Sequence, residues 1–439
     1  MFFVHKALSS ALDATAMRLS EKEKGKEKPL ATPAQHDGFF IAKRGTPLKE
    51  GRYKIIRKLS QDHRSNTFLV EDLQSTEPHC KYSAAKILSI DATGVNGYTR
   101  ELEILLKASE QKVGYTVPPI VILRDHFHQQ GLHGRHYCFL TRALSTDVRA
   151  FRLSTPTRRL GVHIVKPIVV EALDALEALH LRNIIHAGIN MATRAFDRQS
   201  FFWAPNTDEI EEMINETLPS VNGTTSGNTE DPILQSEPFQ AGISWDITPY
   251  EAETIAVVFS NFGAAFLADK PKPLGDIGEF ALRAPENIIR AECGKEIDIW
   301  AFGCMTYELL TGEILFQPQN IPGLTPDESL LLLQFSVTGE TLSKDVIDQS
   351  RVRDQFFNRE GDFIKSSANV YPNQSMEERL KERCGGDLTE RQINAAAEFI
   401  KYCLRLNPRD RPTANKLSLH SWLELACMGC VDLESAPQY

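Results

Sequence analysis

"EIDIWAFGCMTYELLTGEILFQP", Glu296 to Pro318, sets apolar side chains three and four residues apart as far as Leu310 and then meets Gly312. That spacing predicts a helix, and the glycine marks its end, because the left-handed residue that closes a helix is least strained without a Cβ. "VVEALDALEALHLR", Val169 to Arg182, repeats the period. Upstream the period changes to two. "RYKIIRKLS" from Arg52, "NTFLVEDL" from Asn66 and "YSAAKILSI" from Tyr82 swap apolar and polar faces as antiparallel strands do. A small β-rich lobe over 47–145 followed by a larger helical lobe over 146–425 is an α+β arrangement.

The flanks and one interior stretch read differently. "SEKEKGKEKPLATPAQHDG" is charged and broken by Pro and Gly, so residues 1–46 are read as a tail and linker, and 426–439 as a C-terminal tail. From about Asp197 to Thr248 the chain passes through "VNGTTSGNTEDP", which predicts a surface insertion with at most one helix, around "TDEIEEMI". The opening "MFFVHKALSSALDATAMRLS" has few basic residues and is interrupted by Asp13, which argues against a mitochondrial transit peptide.

Composition excludes several classes of function. The 439 residues include 49 Lys and Arg against 58 Asp and Glu, a net charge of −9, so no overall basic field draws the chain to nucleic acid or anionic lipid. A basic or Arg-rich protein partner suits that sign. Apolar runs such as "TIAVVF" and "LLLLQF" fall far short of the roughly 20 residues of a membrane span. The eight cysteines are scattered, which points to an intracellular, reducing compartment. Cys427 and Cys430 have two residues between them but stand alone, so no metal site is read there.

Taken together, "YSAAKIL", "GYTRELEILL", "GRHYCFLTRAL", "NIIHAGIN", "SNFGAAF", "LRAPENII", "EIDIWAFGCMTYELLTGEILFQP" and "CLRLNPRDRPTA" occur in an order that resembles a eukaryotic protein-kinase domain. "TPDESLLLLQFSVTGE", "SRVRDQFFNREGDF" and the long insertion look most like SR-protein kinases of the CMGC group, and more closely their divergent fungal members. The resemblance implies that Lys86 grips nucleotide phosphates and that Glu101 orients it. Two ordinary surface charges are the plain alternative, although Lys86 lies in an apolar strand and Glu101 opens an apolar-periodic helix. It also implies that Ala84 and Leu140 line an adenine slot, with Thr141 as gatekeeper and Arg142 to Leu144 as hinge. Glu286 and Arg411 would form a buried ion pair, and Asp298 and Trp300 would anchor the central helix. Asp327 and Glu328 fall where the family docks Arg-rich peptides, but "PDE" could equally cap the helix that follows.

The positions that carry chemistry depart from the pattern. Ser60 and Asp62 stand where the phosphate loop has glycines, and Asp62 sets a carboxylate against any bound phosphate. His186 remains, but Gly188 replaces the catalytic aspartate, Asn190 the lysine, Thr193 the metal-binding asparagine and Asn261 the metal-binding aspartate. A neutral amide is a poor ligand for a hard cation, so the expectation is weak ATP binding and doubtful Mg²⁺. A pseudokinase that binds or scaffolds is the first reading. An active Ser/Thr kinase for Arg/Ser-rich proteins, recruiting Asp62, Asp197 or Asp246 as a substitute, is the second. A different nucleotide chemistry on the same fold is the third, and no new acid cluster supports it.

Overall fold

The computed structural model describes residues 38–424 apart from 95–96, 111–117, 146, 190–200, 204–206, 217–233, 235–243, 254, 271, 273–276, 366–370 and 372–373. Six antiparallel strands form the N-lobe sheet in the order β1-β2-β3-β4-β6-β5. They are β1 (Pro47–Leu48), β2 (Tyr53–Gln61), β3 (Ser65–Asp72), β4 (Tyr82–Leu88), β5 (Leu123–Gln130) and β6 (Arg135–Arg142). Because side chains alternate across a strand, the sheet has two working faces. One carries Ile55, Phe68, Val70, Ala85, Ile87, Cys138 and Leu140 into a closed core. The other looks toward the cleft between the lobes, where Leu88, Tyr137 and Phe139 share a core with Ile104 and Leu105 of the helix Gly97–Ala108 (α1).

Two sequence expectations change here. Phe40 and Ala42, assigned to the tail, are both 4% exposed and belong to the N-lobe core, so the folded part begins before residue 46. Leu140 pairs with Ala85 and shares its face, away from the cleft, so it cannot line an adenine slot.

The C-lobe is helical: Val148–Ser154 (α2), Val162–Leu181 (α3), Thr207–Glu216 (α4), Glu296–Thr311 (α5), Pro326–Thr338 (α6), Met376–Cys384 (α7) and Glu390–Cys403 (α8), with shorter turns between. Short strands β7 (Ile184–Ile185), β8 (Phe201–Trp203), β9 (Val257–Phe259) and β10 (Phe266–Leu267) pair as β7 with β10 and β8 with β9. The helix α5 runs through the middle of the lobe with nearly every residue buried. It ends as its sequence predicts. Gly312 has φ 79° and its N–H donates to Glu308 O, while an added Cβ would lie 2.7 Å from Arg158 O, so both conformation and space require glycine. Among the described residues no helix is long and apolar enough to cross a membrane.

Candidate functional site

β4 brings Ala84 and Lys86 to the cleft face, and the register sets Thr141 opposite Ala84 and Phe139 opposite Lys86. Lys86 Nζ donates to Glu101 Oε1 at 2.6 Å, joining the sheet to α1. The two charges therefore form a pair rather than two separate surface groups. Leu144 is partly buried against the C-lobe core, at the point where the chain passes from one lobe to the other.

The insertion supplies the part of the site that sequence reasoning missed. Its helix α4 lays Ile210 against Leu59, Leu69, Tyr82, Ala84 and Ala143, with Ile214 one turn on packing into the same cluster. Ile210 is 5% exposed. Glu211 fixes the helix from the side, accepting from Lys81 Nζ at 2.7 Å. The available signal was two isoleucines four apart in an otherwise acidic helix, which marks one buried stripe. Burying one such side chain contributes about 1.5 to 3 kcal/mol, enough to hold a short helix in place.

The β2–β3 turn is closed by Asp62. Its Oδ1 accepts from Arg64 N and Ser65 N, both at 2.6 Å, and its Oδ2 from Ser65 Oγ at 2.8 Å. These are backbone amides of the turn where a kinase phosphate loop would offer donors to phosphate oxygens. Between Asp62, Lys86, Glu101 and Asn261 a cavity of about 30 Å³ remains, room for roughly one or two water molecules.

The loop after β7 is braced from below. Asp298, at the start of α5, accepts from His186 N and Ala187 N at 2.8 Å each and faces His180 Nε2 at 3.0 Å. His186 is fully buried, which pushes its imidazole below the usual range despite nearby Asp298. Gly188 N donates to His186 Nδ1 at 3.3 Å, which leaves Nε2 to donate to Ser260 O at 3.0 Å. The scaffold of a catalytic loop is thus in place, but Gly188 presents no side chain at its working end. Asn261 follows Ser260 in the left-handed region at φ 70°, a conformation that Asn and Asp tolerate best among residues with a Cβ. Asn190 and Thr193 lie outside the described residues.

Away from the cleft, Arg411 grips Glu286 through two bonds of 2.6 and 2.8 Å, and its guanidinium lies 5.0 Å from the Trp300 ring. Trp300 in turn stacks on Phe316 at 5.4 Å. Asp327 and Glu328 are also engaged. Glu328 is buried in a capping box, accepting from Thr325 N at 2.6 Å, while Asp327 lies 3.6 Å from Arg283. Their geometry is that of a helix start. Thr325→Ala is expected to cost about 1 kcal/mol of stability by removing the hydroxyl that accepts from Glu328 N. A denaturant midpoint unchanged by that substitution would refute the capping role.

Comparison with known proteins agrees with this fold. Residues 253–423 match the protein kinase domain family. The chain is 24% identical over 394 residues to a Physarum polycephalum serine/threonine-protein kinase SRPK, covering 88% of this chain and 89% of that one. A serine/threonine protein kinase of Aspergillus fumigatus is 25% identical over 399 residues, with 89% of each chain covered. The Schizosaccharomyces pombe protein kinase dsk1 is 22% identical over 504 residues, covering 96% of this chain and 89% of that one. A crystal structure of a kinase domain superposes with a TM-score of 0.60 at 18% identity, over 88% of this chain and 99% of that one. The chain is a protein of the eukaryotic protein-kinase fold. Its relatives are named as protein kinases, most of them serine/threonine kinases and SRPK among them. Protein kinase domains in general act with ATP and Mg²⁺ on protein substrates.

Proposed function

We propose that this chain is a pseudokinase, a kinase-fold module that binds or scaffolds a protein partner without transferring phosphate. The observation that carries this reading is that the chain's own groups stand where a nucleotide would. Ile210 and Ile214 cover the wall formed by Ala84 and Ala143, and Asp62 takes up two amides of the phosphate loop. ATP would have to displace both, and Asp62 would still oppose it. At about 5 Å and an effective dielectric near 20, each unit of phosphate charge facing that carboxylate costs about 3 kcal/mol. Gly188 and Asn261 add the lack of a proton acceptor and of a charged metal ligand. The residues present therefore fit ATP and Mg²⁺ poorly.

A second reading, an active kinase for Arg/Ser-rich proteins, draws on the intact Lys86–Glu101 pair at 2.6 Å and on relatives named as kinases. It requires a base. Asp62 is tied into its turn, Asp246 lies exposed beside Ser244, and Asp197 is outside the described residues. The partner we propose is a basic protein, in keeping with the net charge of −9, and the compartment is the cytoplasm or nucleus, where the six described cysteines stay free thiols. Asp327 and Glu328 are engaged locally, so such a partner would rely on other acidic groups.

Thermal denaturation with and without millimolar ATP, in Mg²⁺ or Mn²⁺, tests the proposal. The wild type is expected to show no shift, and a doubly altered Asp62→Gly, Ile210→Ser protein to gain one. A metal-dependent rise for the wild type would mean that the slot opens and would end the argument from occupancy.

A further inference from the structure

Between α2, the end of α5 and the chain that follows it, a cleft of about 490 Å³ is lined by Arg149, Arg152, Arg158 and Arg379 against Glu308 and Glu313. Its local charge is opposite in sign to the chain's −9. The acids are already committed. Glu308, which burial pushes up to about 7 even with Arg152 beside it, accepts from Arg152 Nη2 at 2.7 Å, and Glu313 is paired with Arg383 at 2.9 Å.

Arg152 is the fixed member of the group, 3% exposed. Its Nη1 donates to Arg158 O at 2.6 Å and Gly312 O at 3.1 Å, which also screens the negative end of α5 from the cleft. Its Nε is buried without an acceptor. Of the other three, Arg379 gives only its Nε, to Gln374 O at 3.2 Å, and the side chains of Arg149 and Arg158 have no hydrogen-bond or ion-pair partner among the described residues. Arg149 feels Asp147 and Glu308 only through space, without a direct ion pair, so the guanidinium groups outnumber the acids near them and an added anion would relieve their mutual repulsion. Four arginines line the cleft with two glutamates, one of them already paired with Arg383 outside it, so the lining carries a net positive charge. A phosphomonoester, which carries about −1.5 to −2 near neutral pH, suits that positive lining, and planar guanidinium groups match its oxygens two at a time. The apolar part of the lining, Leu153, Leu315 and Leu333, offers contacts that a free anion could not use.

We propose that this cleft binds a phosphorylated peptide, its phosphate held among Arg149, Arg158 and Arg379 and its flanking side chains against Leu153. The proposal goes beyond the pseudokinase reading and is independent of it, because no residue of the nucleotide cleft takes part. The test uses the full chain and a fluorescein-labelled peptide library degenerate around a central phosphoserine, followed by anisotropy. Binding is expected for the phosphorylated library and not for its unphosphorylated counterpart, and it should weaken with added salt. Arg149→Glu with Arg379→Glu should weaken it by on the order of tenfold or more, with the melting temperature near that of the wild type. Should that variant melt early, Arg149→Gln alone, which removes the charge but keeps a polar side chain, is expected to weaken binding without unfolding. Equal binding of both libraries, unchanged binding by the charge-reversed protein, or competition by inorganic phosphate as strong as by the peptide would overturn the assignment.

Discussion

Arg411→Ala is expected to destabilise the C-lobe by on the order of 3 to 5 kcal/mol, because it leaves Glu286 charged in the interior with no partner. Both side chains are essentially inaccessible, at 0% and 1% exposure, so water cannot replace the guanidinium. The same substitution strips donors from Arg405 O and Glu296 O and removes the cation lying over Trp300. The contrast is with the degenerate site. Asn261→Ala removes no ion pair, and its expected cost of about 1 to 2 kcal/mol comes from placing alanine in the left-handed region. Asn261→Asp, which tolerates that conformation, should be nearly silent. Denaturant titrations of the three variants decide the matter. If Arg411→Ala and Asn261→Ala lower stability equally, the C-lobe ion pair is not what holds the scaffold while the chemistry is relaxed.

The parts of the fold that were legible in the sequence are those set by local rules. The helix α5 was readable because its apolar spacing and Gly312 depend on residues within it. The three strands of "RYKIIRKLS", "NTFLVEDL" and "YSAAKILSI" were readable from their alternation. Leu140 was misplaced because "CFL" is apolar on both faces, so alternation cannot say which face meets the cleft, and only the register with Ala85 does. Phe40 was lost in a tail defined by its polar neighbours, although a single aromatic residue is enough to seal a sheet core. Asp62 was read as a charge opposing phosphate, but its reach to its own turn amides depends on backbone geometry that composition does not carry. Ile210 was hidden for a longer-range reason. Its partners, Leu59 and Ala84, lie more than a hundred residues earlier, and nothing in a Gly- and Asn-rich insertion announces where its one helix will dock.

No single reversion is expected to create phosphoryl transfer, because the missing functions act in series. Gly188→Asp would return a proton acceptor, but general-base help is typically worth about 10² to 10⁴-fold and presupposes a bound, correctly placed nucleotide. The new Cβ would also lie 3.3 Å from the Ala264 Cβ, so the loop must give slightly to admit it. Asn261→Asp would return a charged metal ligand at a position whose φ of 70° accepts it, yet leave no base. Asp62→Gly would free the Arg64 and Ser65 amides, but Ile210 would still cover Ala84. The expected result is therefore background transfer to an Arg/Ser-rich peptide for the wild type and for every single variant. Activity should emerge only when Gly188→Asp, Thr193→Asn, Asn261→Asp and Asp62→Gly are combined with an opened wall at Ile210. Radiolabel incorporation from ATP measures this directly. Wild-type phosphorylation exceeding one phosphate per protein molecule and abolished by Lys86→Met would show that the chain carries a working base in spite of Gly188, and that Ile210 leaves the slot fast enough for turnover.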